Sequence, residues 1–270
     1  MKDTHTKPEF LISIVMPTLN CASILPQSLG SIAKQKRRDF EVIIVDGGSI
    51  DGTVAEALRL LQSNGIECRV ILAPRTGIYA AMNLGMTIAR GVWLYFLGSD
   101  DRLFSSEVFE RIAPILLASN ANVVHGEAWI EKPGYFYGGS FPLRRLVERN
   151  ISHQCIFYRL RTLRDKKIAY DERYQIYADW DFNLKLLARG AFQSVPEPIA
   201  IYACDGFSAG RIDHLFMHEK EANVLDYFGL RALLKLSPDR FALAARARPS
   251  FRNSLGLIFS RMFHFCSKWL

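Results

Sequence analysis

The chain has 270 residues, 49% hydrophobic and 23% charged, the balance of a soluble globular protein with one large α/β domain, or one domain with a small appendage. Its 34 basic against 27 acidic residues leave a net charge of +7, which points to an anionic partner: nucleotide, nucleic acid or membrane surface. No uninterrupted apolar stretch reaches the roughly 20 residues that span a bilayer, and residues 1–9 lack a signal-peptide core.

Five scattered cysteines (Cys21, Cys68, Cys155, Cys204, Cys266) with no CxxC pair argue for reduced thiols in the cytoplasm. They argue equally against a disulfide framework or structural zinc.

Taken in chain order, residues 11–16 read as a strand. Residues 23–36 read as a helix with Ile24, Leu25, Leu29 and Ile32 on one face. A second strand covers 40–45. Asp51-Gly52-Thr53 then opens a helix carrying Val54, Ala57, Leu58 and Leu61, with Ser49 or Asp51 as its cap. Residues 69–72 form a third strand, 78–90 a third helix and 92–97 a fourth, wholly apolar strand. This alternation predicts a parallel sheet of right-handed βαβ units.

After Asp101 the rhythm changes. A helix is expected at 105–118, a short strand at 123–125, a loop or hairpin at 131–141, a strand at 154–158 and a helix at 179–188. Residues 195–202 contain Pro196 and Pro198, so an edge strand or extended segment is expected there.

Two acidic clusters carry the chemistry. Gly98-Ser99-Asp100-Asp101 follows the fourth strand, which places both carboxylates at a strand's carboxyl end, where open α/β sheets bind ligands. Adjacent carboxylates repel unless a cation sits between them, so the pair asks for a hard divalent metal completed by substrate phosphates. A plain turn before a helix is the competing reading. Ala178-Asp179-Trp180-Asp181 opens an amphipathic segment. One of its carboxylates suits a general base, the other reading being acid enrichment at a helix N-terminus. Asp179 and Asp181 fall on different faces, and Asp179, nearer the entry, is the one expected in the cleft.

Asp46-Gly47-Gly48 follows the second strand and suits a ribose or base, or a capping turn. Asn83, on an otherwise apolar helix, needs partners in backbone or substrate. His153 suits acceptor binding, whereas Gln154 leans towards a structural role.

Residues 251–270 place Phe251, Leu255, Ile258, Phe259, Met262, Phe263, Cys266, Trp269 and Leu270 at helical spacing, with Arg261, His264 and Lys268 mainly elsewhere. From Arg240 onward there is no acidic residue. A helix lying in an anionic membrane interface is expected, the alternatives being a helix docked on the protein's own core or on a second subunit as a homo-oligomer. No nucleic-acid reading motif accompanies the basic residues.

Ile14-Val15-Met16-Pro17-Thr18-Leu19-Asn20, Val45-Asp46-Gly47-Gly48-Ser49-Ile50-Asp51-Gly52-Thr53 and Leu97-Gly98-Ser99-Asp100-Asp101 together resemble the ordered motifs of family 2 glycosyltransferases of the GT-A fold. Gly77-Ile78-Tyr79, Ala81-Met82-Asn83, Gly85, His153-Gln154 and the acids at 179 and 181 resemble a bacterial subgroup that builds exopolysaccharide and lipid-linked repeat units. The resemblance implies a Rossmann-like, mostly parallel sheet flanked by helices. It also implies a flexible N-terminus at 1–10, the catalytic domain at 11–205 (nucleotide-sugar half 11–101, acceptor half 102–205) and a helical extension at 206–270.

By the same resemblance, Pro17, Thr18, Asn20, Asp46, Gly48, Arg75, Gly77, Asn83 and Asp100 would hold the nucleotide of a UDP- or GDP-sugar. Asp101 would ligate Mg²⁺ or Mn²⁺, and Asp179 would be the catalytic base of an inverting transfer. His153, Gln154 and Asp181 would face the acceptor, a glycan or polyprenyl-diphosphate-linked sugar at the cytoplasmic face of the inner membrane. The chain departs from the subgroup at Ala80, where aspartate is common, and at Arg75, where an acid is common. Both bear on donor-sugar specificity, and Arg75 is a candidate to meet a phosphate.

The alternatives are a nucleotidyltransferase and a non-catalytic sugar-nucleotide or membrane-binding module. The first would show a Gly-rich, basic phosphate loop after its first strand, and Thr18-Leu19-Asn20-Cys21 is not one.

Overall fold

A computed structural model describes residues 9–203 and 211–237, with Arg240, Leu243, Ala244 and Ala247. The chain divides into two compact units, Met1–Arg211 and Ile212–Leu270. Most of the expected flexible N-terminus, Cys204, Cys266 and the amphipathic segment 251–270 lie outside the described residues. The three described cysteines are free.

The first unit holds nine strands: β1 (Ile12–Thr18), β2 (Phe40–Asp46), β3 (Cys68–Leu72), β4 (Trp93–Phe96), β5 (Arg102–Leu103), β6 (Val123–Ile130), β7 (Tyr135–Tyr137), β8 (Ile156–Arg159) and β9 (Phe192–Tyr202). Its helices are α1 (Leu25–Ala33), α2 (Thr53–Ser63), α3 (Ile78–Ile88), α4 (Val108–Ala118), α5 (Leu143–Leu146), α6 (Leu160–Asp165) and α7 (Ala178–Leu187). They accompany one sheet of order β3-β2-β1-β4-β8-β6-β9-β5, with β7 paired to β6.

The first four strands are mutually parallel. Strand β8 then enters antiparallel between β4 and β6. Covered on both faces, β1, β2 and β4 consist of almost wholly buried residues, which is why they read as continuous apolar runs.

Close approach of α3 to the sheet depends on Gly85, where a Cβ would lie 2.4 Å from Cγ1 of Val15. At the sheet's amino end Glu41 is fully buried. It accepts hydrogen bonds from Ser13 Oγ at 2.7 Å and Arg69 Nη2 at 2.6 Å. The Arg90 amide donates to it at 2.6 Å. Burial pushes this carboxyl up, but the donors from Ser13, Arg90 and Arg69 outweigh it and hold it below its ordinary value.

The structure departs from the expected elements in several places, among them β6, which runs through Ile130 rather than ending at 125. Residues 192–202 form a long strand, next to last in the sheet, rather than an edge strand at 195–202. Its prolines are accommodated where the pairing with β6 shifts register around Glu127. Gly52, at φ 89°, holds the cap position of α2 rather than Ser49 or Asp51, although Asp51 Oδ1 accepts from the Thr53 amide at 3.1 Å. Residues 153–155 are a 3-10 turn that precedes β8.

The second unit contains α8 (His214–Phe228) and α9 (Leu230–Leu236). Asp213 caps α8 by accepting from the Phe216 amide at 3.1 Å. Gly229, at φ 79°, ends it.

Candidate active site

The carboxyl ends of β1, β2 and β4 converge, and register dictates what meets there. Thr18 stands opposite Asp46, so its Oγ1 donates to Asp46 Oδ2 at 2.8 Å. Ser49 Oγ donates to the same oxygen at 2.6 Å. The amides of Gly48 and Ser49 donate to Asp46 Oδ1 at 3.0 and 2.7 Å. Burial raises this carboxyl, but these donors outweigh it and keep it below its ordinary value. Gly48 is at φ 99°, as the turn requires. Asn20, at φ 47°, clamps the two loops together: its amide donates to Ser49 Oγ at 2.8 Å, and its Oδ1 accepts from the Ile50 amide at 3.0 Å.

Beyond β4 the chain turns at Gly98, where a Cβ would sit 2.8 Å from both Asp100 Oδ1 and Asp101 Oδ2. Only glycine lets the two carboxylates fold back this tightly. Because β8 runs antiparallel to β4, with Phe157 opposite Tyr95, the residues just before β8 arrive at the same edge. Gln154 Nε2 therefore donates to Asp101 Oδ2 at 2.8 Å, and Tyr95 Oη donates to the Gln154 carbonyl at 2.7 Å. Asp101 is 3% exposed, and its Oδ1 is buried without a hydrogen-bond partner. Burial, then the charge of Asp100, pushes the Asp101 carboxyl up to about 7, against the opposing donor from Gln154.

Helix α7 presents Asp179 in its first turn. Asp179 Oδ1 accepts from the Trp180 amide at 2.8 Å, and Oδ2 accepts from Asn150 Nδ2 at 2.8 Å. The side chain opens into the cleft, yet enough protein surrounds it that burial pushes its carboxyl up to about 7. His153 lies in the same cleft, and burial pushes its imidazole down to about 4.

One cavity of about 350 Å³ is lined by Pro17, Asn20, Asp100, Asp101, His153, Gln154 and Asp179 among others. A second, of about 560 Å³, shares Pro17 and is also lined by Thr18 and Gly77. Gly77 has open space where a Cβ would stand.

Asp46, Gly48, Arg75, Asn83 and Asp181 line neither cavity. Asp46 is spent on its loop. Arg75 is exposed at φ 64°, its amide donating to the Gly47 carbonyl at 3.1 Å. Asn83 is a clip: Nδ2 donates to the Tyr170 carbonyl at 3.1 Å and to Glu172 Oε1 at 2.9 Å, while Oδ1 accepts from the Tyr170 amide at 2.9 Å. Asp181 is fully buried on another face of α7, where Lys185 Nζ lies 2.7 Å from its Oδ2.

Sequence reasoning missed Tyr170, Gln175, Ile176 and Tyr202, which line the cavity, and Asn150, which holds Asp179. Tyr79 donates its hydroxyl proton to the Ile176 carbonyl. Only the Gly-Ile-Tyr motif hinted at that contact. Asn150 lies four residues before Gln154 and carries no signal of its own.

Residues 13–180 match the family described as Glycosyl transferase family 2. A PGL/p-HBAD biosynthesis glycosyltransferase of Mycobacterium bovis is 40% identical over 183 residues, 67% of this chain and 71% of that protein. Staphylococcus aureus TarS, residues 1–349, superposes with a TM-score of 0.63 at 19% identity, over 80% of this chain and 64% of that one. The mannosyltransferase PcManGT of Pyrobaculum calidifontis, solved with GDP-Man and Mn²⁺, superposes with a TM-score of 0.58 at 19% identity, over 88% of this chain and 68% of that one.

Proposed function

The chain belongs to glycosyl transferase family 2, and from that premise we propose that it is a metal-dependent, inverting sugar transferase with Asp179 as its base. The observation that carries this reading is that Asp100, Asp101 and Asp179, from distant stretches of sequence, line one cavity. A base and an acid-rich phosphate end that share one cavity suit displacement at an anomeric carbon.

The donor is a UDP- or GDP-sugar. TarS has been solved with UDP-GlcNAc and PcManGT with GDP-Man, which supports this class and leaves the sugar open. Its nucleoside would lie along the second cavity, against Pro17, Thr18 and Gly77, and its diphosphate at Asp100 and Asp101. The cation suits the residues present: Asp101 Oδ1 is a buried oxygen without a donor, and a second carboxylate beside it makes an all-oxygen, doubly negative site of the kind Mg²⁺ or Mn²⁺ takes. When bound, the ion supplies positive charge that offsets the charge developing on the departing nucleoside diphosphate.

Asp179, ionised, accepts the proton of an acceptor hydroxyl as that oxygen forms a bond to the anomeric carbon from the face opposite the leaving group. The bond from the anomeric carbon to the nucleotide oxygen breaks, giving nucleoside diphosphate and a glycoside of inverted configuration. His153, neutral at pH 7 and lining the same cavity, would face the acceptor.

The acceptor we assign is a hydroxyl of a glycan or lipid-linked glycan in surface polysaccharide biosynthesis, on the cytoplasmic face of the membrane. The mycobacterial relative's part in PGL/p-HBAD biosynthesis supports it. So do Leu19, Ile24 and Ile78, which are 58%, 46% and 40% exposed on the cavity rim and fit an apolar portion of such a substrate. No helix among the described residues is long and apolar enough to cross a membrane.

The test is a panel of UDP- and GDP-sugars incubated with the full chain and Mn²⁺, followed by nucleoside diphosphate release. Release from one donor, abolished by chelator, is expected. Binding without release from any donor would indicate a non-catalytic module.

A further inference from the structure

Behind Asp179 lies a file of polar side chains, two buried and one half-buried, that line neither of the two cavities described above. Tyr158 Oη donates to Asn183 Oδ1 at 2.9 Å, Asn183 Nδ2 donates to Asn150 Oδ1 at 2.9 Å, and Asn150 Nδ2 donates to Asp179 Oδ2 at 2.8 Å. Tyr158 and Asn183 are fully buried, and Tyr158 is packed edge-on against Phe96 and Phe182 at centroid distances of 6.0 and 5.1 Å. Polar groups in such surroundings are costly unless every one is paired.

The file has a direction. Each amide has one accepting and one donating end. A phenol proton given to Asn183 Oδ1 turns that residue's NH₂ towards Asn150, which in turn points its own NH₂ at Asp179. Flipping either amide would set like ends against each other. The Asn150 segment is pinned separately, by Tyr137 Oη donating to the Asn150 carbonyl at 2.6 Å.

We infer that Asn150, Asn183 and Tyr158 are positioning residues that fix the Asp179 carboxylate and favour its ionised form, an inference that rests on Asp179 being the base. With Oδ2 held by Asn150 and Oδ1 by the Trp180 amide, the remaining lone pairs are set before an acceptor arrives. Such preorganisation costs nothing at the moment of reaction.

The file also opposes burial, which alone would keep the base protonated. Among the titratable groups around Asp179, Tyr158 and Tyr170 are pushed far up by burial and stay neutral. The same cavity is lined by His153, pushed down to about 4 by burial, and by the acids Asp100 and Asp101.

The test is a carbon-detected titration of the Asp179 carboxyl in the full chain without ligand, its resonance assigned by loss in Asp179→Asn. The comparison is wild type against Asn150→Ala and Tyr158→Phe, the latter removing one oxygen and leaving the ring. The midpoint is expected near 7 in wild type. It should move up by about one pH unit in Asn150→Ala, the worth of one hydrogen bond to a charged group, and by less in Tyr158→Phe.

Turnover of the donor chosen from UDP-GlcNAc and GDP-Man should fall about fivefold at pH 7 in Asn150→Ala, and about tenfold below about pH 6. The donor KM should stay unchanged, and the loss should be recovered at higher pH, which a merely structural defect would not allow. Midpoints that coincide in all three proteins, or a loss of turnover equal at every pH, would overturn the inference. Shifted midpoints alongside full turnover in Asp179→Asn would instead remove Asp179 as base and leave the hydrogen-bonded file standing.

Discussion

Gln154 Nε2 donates to Asp101 Oδ2 at 2.8 Å across 53 positions of sequence, a contact that strand direction enforces. Strand β8 enters antiparallel beside β4, so the turn just before it meets the loop that follows β4. Gln154→Leu should leave the fold intact and weaken Mn²⁺-dependent binding of UDP by roughly tenfold or more, the worth of one hydrogen bond to a charged group. Calorimetry with and without Mn²⁺ reads this directly, and unchanged affinity would mean that Gln154 does not hold Asp101 for the ion.

The pH profile follows from the state of Asp179. Burial disfavours its charged form, so the carboxyl keeps its proton up to about 7, and only the ionised form takes a proton from the acceptor. Turnover should therefore rise about tenfold per pH unit below about 6 and level off above about 8. A rate constant flat from pH 5 to 8 would show that no base of this character limits the reaction.

Asn83 should behave as a clip. Asn83→Leu removes three hydrogen bonds to Tyr170 and Glu172 and frees the segment that brings Tyr170, Gln175 and Ile176 to the cavity. A loss of about 2 kcal/mol, or roughly 4 to 8 °C in melting temperature, is expected without any ligand present. A melt identical to wild type, with nucleotide affinity lost, would make Asn83 a ligand contact.

Gly85→Val tests the packing of α3. A Cβ there would stand 2.4 Å from Val15 Cγ1 and 3.3 Å from Val45 Cγ2, so the helix must move off β1 and β2. Overpacking of this kind costs about 1 to 3 kcal/mol. Because α3 also carries Tyr79 to the cavity, weaker nucleotide binding should accompany the lower melt, and an unchanged melt would contradict the close approach.

The parallel half of the fold was legible because β1, β2 and β4 are buried on both faces and write themselves as apolar runs, two of them leading to Asp46 and Asp100. Asp179 and Asp181 were separable for the same kind of reason, since helical spacing sends them to different faces. Only Asp179 lines the cavity, while Asp181 pairs with Lys185.

What sequence concealed depends on long-range pairing. Asp46 is the residue type a ribose wants, yet its register partner Thr18 and the Ser49 turn occupy it. Asn83 carries the amide expected of a ligand contact, but its partners come from Tyr170 and Glu172, about ninety residues on. Asn150 sits in a loop whose place is set by Tyr137 and by Asp179, and no local pattern announces either contact.

The most direct measurement pairs donor binding with single-turnover transfer in Asp179→Asn. The expected result is binding of the sugar nucleotide within about threefold of wild type and transfer slower by roughly 10²- to 10⁴-fold, the scale of a lost general base. Transfer at more than about a tenth of the wild-type rate, with the product still of inverted configuration, would contradict the role assigned to Asp179.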